Sequence, residues 1–127
     1  MSAPTPPTDN PLGIETSQVN GVQVLRFRNA KILSEQSVRE LGDRLMACID
    51  AIPGSPRVAI SFDGVNFLSS AGIGKLILLH RKIKERGGEL KLCEIHPSTF
   101  DIFRVAHLHD YFDIRTDLNS ALASFSP

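Results

Sequence analysis

Gly64-Val65-Asn66-Phe67-Leu68-Ser69-Ser70-Ala71-Gly72-Ile73-Gly74-Lys75 carries the turn on which the rest of the chain is read. Its setting is GVNFLSSAGIGKLILLHRKIKERGGELKL, residues 64–92. Ile73, Leu76, Ile77, Leu79 and Ile83 recur at helical spacing, with Lys75, Arg81, Lys82, Lys84 and Arg86 free to reach solvent. That pattern predicts a helix from about Ser70 to Arg86. Gly87-Gly88 stops it. Glu89 to Glu94 alternates enough for a strand, with Leu90 and Leu92 on one face. Upstream, Val58-Ala59-Ile60-Ser61-Phe62 is almost continuously apolar. Strands covered on both faces read that way and are typically parallel and central.

Working outward, Ile14–Val19 and Val22–Phe27 flank Asn20-Gly21. Asn-Gly between two β-prone runs predicts a hairpin, because a type I′ turn needs positive φ at both central residues. Val38, Leu41, Leu45, Cys48, Ile49 and Ile52 form one apolar helical stripe, ended by Pro53-Gly54. Ser34 or Ser37 could cap it, and Ser37 with Glu40 matches a capping box. Pro97 suits the first turn of a helix carrying Phe100, Phe103 and His107 on one side. Phe112–Arg115 is a short strand candidate. Asp117 can cap a last helix with Leu118, Ala121, Leu122 and Phe125 at i, i+3, i+4 and i+7. The order ββαβαβαβα predicts an α/β fold: a mixed, mostly parallel sheet with an N-terminal hairpin, packed against about four helices.

The 127 residues suit one domain. Met1–Pro11, with four prolines, cannot build a core and is expected to be a disordered tail before a domain spanning 12–127. Fourteen basic residues balance fourteen acidic ones. A neutral chain has no global field to hold it on nucleic acid or an anionic membrane. The basic run Arg81–Arg86 lacks interleaved aromatics and reads as a solvated helix face. No apolar stretch approaches ~20 residues, so membrane insertion is not expected, nor is a secretory leader. Cys48 and Cys93 form neither a CxxC pair nor a disulfide ladder and read as reduced core thiols, which fits a cytoplasmic location. His107, His109 and Asp110 are too few to hold structural zinc, so no metal or other cofactor is expected. His107 reads better as a helix-end residue, His80 as core or boundary, and His96 as loop.

The turn puts two hydroxyls and two glycines at a helix N-terminus, at the carboxyl end of a strand. Free N–H groups and the positive end of the helix dipole favour an anion there, and open α/β sheets place their sites at that edge. A phosphate-cradling GxxxxGK[ST] loop fails at both ends, with Ser69 at the first glycine and Leu76 after Lys75. A GxSxG elbow is absent. Ser69 or Ser70 could be a nucleophile only with a base and an orienting acid. The plainest reading has one of these serines capping the helix while Gly72 and Gly74 allow close packing.

Residues 64–92 resemble the core of the STAS domain, as found in anti-sigma-factor antagonists. Phe67, Gly72, Ile73, Gly74, Leu76 and the Gly87-Gly88 stop match that layout. FRVAHLHDYFDI, residues 103–114, resembles the family's closing segment, and the likeness extends over about Ile14 to Phe125. The resemblance implies a regulator of bacterial transcription, not an enzyme, that binds an anti-sigma factor, often itself a serine kinase. In switchable members that kinase phosphorylates a Ser immediately before the first Gly of the turn. Here that position is Ala71; the family's turn Asp falls on Ser69, and an acidic residue at the preceding strand end falls on Ser61. Asp63 is then the nearest carboxylate in sequence. Two expectations follow: binding without a covalent off-switch, or phosphorylation one residue earlier, at Ser70. The expected partner surface is Ser69, Ser70, Ala71, Gly72, Gly74 and Lys75, with Asn66 near its rim. The alternatives are a scaffold subunit of a sensory or lipid-transport complex, and a small hydrolase or nucleotide-binding protein using Ser69-Ser70. The length and lack of an apolar span favour a diffusible regulator.

Overall fold

Asn20 and Gly21 adopt φ of 53° and 82°, the positive values a type I′ turn demands. They join β1 (Ile14–Val19) antiparallel to β2 (Val22–Phe27), in the register Ile14↔Phe27 to Val19↔Val22. The computed structural model describes residues 14–27, 32–33 and 35–125. The proline-rich segment Met1–Pro11, Ser34 and the side chains of Val38 and Leu41 lie outside the described residues.

Three further strands extend the hairpin. β4 (Arg57–Ser61), β6 (Glu89–Cys93) and β7 (Asp113–Arg115) run parallel to β2, giving the order β1-β2-β4-β6-β7. β4 is central, and Val58, Ala59, Ile60 and Ser61 are all buried. β6 forms as expected, with Leu90 and Leu92 in the same core cluster; Lys91 and Cys93 are buried as well, because β6 too is covered on both faces. Lys91 is accommodated by an ion pair with Asp113 at 2.6 Å and a place over the Phe125 ring, 5.1 Å from its centroid. Hydrogen bonds from Arg115 and Lys91 outweigh burial and hold the Asp113 carboxyl below its ordinary range. Burial pushes the Cys93 thiol up to about 12, which keeps it an unreactive thiol.

Two elements went unforeseen. β3 (Ile32–Leu33) and β5 (Phe67–Leu68) form a two-residue parallel pair that leads into α1 (Glu35–Asp50) and α2 (Ser70–Glu85). Pairs this short leave no hydrophobic period in the sequence. α1 starts at Glu35, so Ser37 lies inside the helix and is not its cap.

α1 and α2 bury Leu45, Ile49, Ile73, Leu76, Leu79 and Ile83 against one face of the sheet. α4 (Leu118–Ala123) covers the other, where Val22, Val24, Ala59 and Phe125 cluster. Asp117 caps α4, accepting from Ser120 N–H at 2.7 Å. α3 (Pro97–Val105) buries Phe103, which meets Phe112 edge to face at 5.7 Å. It stops before His107, which is exposed and takes φ 58° at the C′ position instead of sharing a face with Phe100 and Phe103. His107 N–H donates to the Arg104 carbonyl and Leu108 N–H to that of Phe103, the bond pair of a Schellman ending.

Arg86 does not simply face solvent. Its guanidinium donates to the carbonyl of Ile49 at 2.6 Å, to that of Ile52, and to that of Gly54 at 2.8 Å. These are carbonyls at and just beyond the end of α1, where helix ends leave acceptors open; that of Ile49 also accepts from Ile52 N–H at 3.1 Å. Beside it, a Cβ on Gly88 would lie 2.0 Å from the Pro56 carbonyl oxygen. Arg86→Ala is expected to lose about 2 kcal/mol, the scale of a charge-assisted bond to a half-buried carbonyl, read as a lower urea midpoint with unchanged slope.

His80 is 8% exposed, with ring contacts to Tyr111 at 4.7 Å and Phe112 at 5.4 Å. Its Nδ1 is buried without a partner. Burial, and then the Lys84 ammonium, lower its pKa below the ordinary imidazole value. The unfolded chain therefore takes up the proton first, so this contribution to stability is complete above about pH 7 and declines as pH falls through ~6.5. Unfolding between pH 7.5 and 5.5 is expected to show the decline, at most about 1.4 kcal/mol per pH unit for one proton, and His80→Phe is expected to flatten it.

Candidate functional site

β5 delivers the chain to the turn through Leu68, which is buried. Ser69 then leaves the strand in an extended conformation, φ −73° and ψ 164°, and becomes the N-cap of α2. Its hydroxyl accepts from Gly72 N–H at 3.1 Å and its carbonyl from Ile73 N–H at 3.0 Å. Ser69 is thus committed inward, as an N-cap must be.

Ser70 and Ala71, the first residues of α2, are exposed. Gly72 and Ile73 are buried beneath them. Gly74 is exposed and has nothing within 4 Å of where a Cβ would stand, so it leaves the helix backbone open instead of making a close contact. Lys75 is half-buried, and its stem crosses α1 at Gly42, where a Cβ would come 3.0 Å from the Lys75 Cδ. Of the six residues expected to form a surface, Ser70, Ala71, Gly74 and Lys75 reach solvent together, while Ser69 and Gly72 support them. The exposed Asn66 lies just upstream, its carbonyl accepting from the Thr99 hydroxyl at 3.3 Å. That bond ties the first turn of α3 to the loop before the turn.

The parallel strands β4, β6 and β7 end at the edge where α2 begins. At this edge lies a group that the sequence did not reveal. Ser61, 1% exposed at the end of β4, donates its hydroxyl to the Glu94 carboxylate at 2.5 Å and accepts from Asp63 N–H at 3.3 Å. Glu94 follows β6 with φ 57°, a left-handed conformation that costs a non-glycine residue about 1 kcal/mol. Its N–H donates to the Thr116 carbonyl at 3.2 Å. Serine at position 61 therefore does not strip the edge of acidic character, because Glu94, thirty-three positions away, brings its carboxylate there. No local spacing could have shown this pair. His96, expected in a loop, caps α3: its Nδ1 accepts from Ser98 N–H at 3.2 Å.

Among the described residues the edge carries no preformed nucleophile and base. Among the described residues no hydrogen bond joins Ser69 or Ser70 to a histidine or carboxylate, and no three His, Cys, Asp or Glu side chains converge to hold a metal. No helix of the described residues is long and apolar enough to cross a membrane. What the turn does show is open backbone at Gly74, small exposed side chains at Ser70 and Ala71, and a closed cap at Ser69.

Comparison with known proteins places the fold. The STAS domain family model matches residues 13–121, and the chain belongs to that family. A curated relative, BtrV of Bordetella bronchiseptica, named as a candidate anti-sigma factor antagonist, is 26% identical over 94 residues, covering 74% of this chain and 79% of its own. A STAS-domain anti-sigma-factor antagonist structure from Planctomyces limnophilus superposes with a TM-score of 0.81 at 24% identity, covering 87% of this chain and 96% of the other. The Bacillus cell-fate determinant SpoIIAA in its phosphorylated form superposes with a TM-score of 0.62 at 18% identity, over 87% and 96%. The fold is that of SpoIIAA: a five-stranded sheet opened by an antiparallel hairpin, with four helices.

The two serines should separate in stability measurements. Ser69→Ala is expected to cost about 1 kcal/mol, the usual loss of an N-cap. Ser70→Ala, at an exposed position, is expected to stay within about 0.5 kcal/mol of the parent. Urea unfolding of both variants checks the assignment.

Proposed function

We propose that this chain is an anti-sigma-factor antagonist, working by protein–protein binding and not by catalysis. In this reading the corner Ser70, Ala71 and Gly74, with Lys75 at its rim, docks on an anti-sigma factor and so releases a sigma factor for transcription. The observation that carries the reading is the division of labour at the turn. The Ser69 hydroxyl closes the helix end, which leaves Ser70 presented to solvent over a backbone made accessible by Gly74. Family membership and the names of the relatives supply the class of partner.

The regulation we infer departs from the family's usual switch. The residue immediately before Gly72 is Ala71, which cannot accept phosphate. We therefore read the docking as free of a covalent off-switch. Ser70 is the one exposed hydroxyl of the turn, and it is where phosphate would land if the partner is a serine kinase. A phosphate there would add about −1.5 to −2 charges at a helix N-terminus that can solvate it, on a surface where a docked partner could not.

Calorimetric titration with the purified anti-sigma factors of the same genome tests the reading. Binding of at least one is expected. Ser70→Asp, which buries an unpaired carboxylate on docking, is expected to weaken that binding at least about 10-fold, with unchanged thermal unfolding. Unchanged affinity would remove this surface from consideration. Incubation with the same partner and ATP, followed by peptide mass mapping, is expected to leave Ser70 unmodified; phosphate on Ser70 would replace switch-free docking with a displaced switch.

A further inference from the structure

Beyond the turn, the same edge of the sheet holds an apolar groove of about 400 Å³, lined by Ile95, Pro97, Phe100, Ile114, Arg115 and Thr116. It lies where β6 and β7 end and α3 begins. Its one charged wall, Arg115, is neutralised by Asp113 at 2.7 Å. Next to it stands Glu94, whose N–H is held by the Thr116 carbonyl and whose carboxylate is held by the Ser61 hydroxyl. Among the described residues no cation pairs with that carboxylate. Its one partner among the described residues is a neutral hydroxyl, and a cation placed against such a half-buried carboxylate gains most when water is excluded. A groove wide enough for one large side chain supplies that exclusion.

We propose that this groove and Glu94 form a second contact point for the protein partner, taking from it a large apolar side chain flanked by a lysine or arginine. The proposal rests on the anti-sigma-factor reading and deepens it by naming the chemistry of the docking segment. The apolar side chain fills the space between Phe100 and Ile114, while the basic group reaches Glu94. The Thr99–Asn66 bond fixes the groove relative to the turn, so one partner surface can span both.

The test titrates the anti-sigma factor that binds the wild-type chain against four variants. Glu94→Gln keeps an acceptor for Ser61 but removes the charge. Thr116→Trp, at an exposed rim position, blocks the groove without cutting into the core. Phe100→Ala empties it. Ser70→Asp reports on the turn alone. Glu94→Gln is expected to weaken binding about 10-fold and to flatten its dependence on salt between 50 and 300 mM, since screening acts on the lost pair. Thr116→Trp and Phe100→Ala are expected to weaken binding about 10-fold each, with Thr116→Trp leaving thermal unfolding unchanged. If Ser70→Asp weakens binding while Glu94→Gln and Thr116→Trp do not, the groove proposal is overturned and the turn reading stands. If no anti-sigma factor binds the wild-type chain, both fall.

Discussion

The fold depends on a junction far from the proposed contact surface, where the backbones of Pro56 and Gly88 meet. A Cβ on Gly88 would stand 2.0 Å from the Pro56 carbonyl, and the next N–H, of Glu89, donates to that same oxygen at 2.9 Å. Only glycine permits this approach, and it sets the start of β6 against the start of β4. Gly87, with φ 74°, turns the chain out of α2 to reach it. Arg86 then gathers the last carbonyls of α1 onto the same knot. Two helix ends and two strand starts are thereby fixed in a few residues.

That knot has its consequence at the other end of α2. A helix anchored at its C-terminus and packed through Leu76, Leu79 and Ile83 can place its N-terminus only where the sheet edge allows. At that end the sequence keeps the structural and the presented residues separate. Ser69 and Gly72 close the cap, and Ser70, Ala71 and Gly74 face outward. Exposed residues at a helix start contribute little to folding, so the presented set is free to answer to a partner. The cap itself cannot vary so freely, because its hydroxyl satisfies an N–H that the helix leaves open.

Most of the fold was legible in local patterns. Asn20-Gly21, the apolar run of β4, the helical stripe of α2 and the Gly87-Gly88 stop each specify their element by period or by backbone freedom. What stayed hidden was whatever depends on residues far apart in sequence. The β3–β5 pair has no period to read. Ser37 looked like a cap, yet α1 begins two residues before it. Arg86 resembled any other basic residue on a solvated face, because its acceptors lie 32 to 37 positions away. At the turn, the spacing predicted a serine cap but could not say which serine faces inward. The Ser61–Glu94 pair left no local trace at all.

That pair shows how residues far apart in sequence assemble the chemistry of an edge. Neighbouring strand ends in a parallel sheet lie about 4.8 Å apart, so the end of β6 can bring a carboxylate beside the end of β4. The cost here is a residue held at φ 57° and a buried hydroxyl whose hydrogen is committed to it. A valine at 61 would take the Ser61 oxygen away from Asp63 N–H, whereas a glycine at 94 would relieve the backbone. Strain at the edge where α/β sheets present their sites is the setting in which the proposed contact of this carboxylate with a partner belongs.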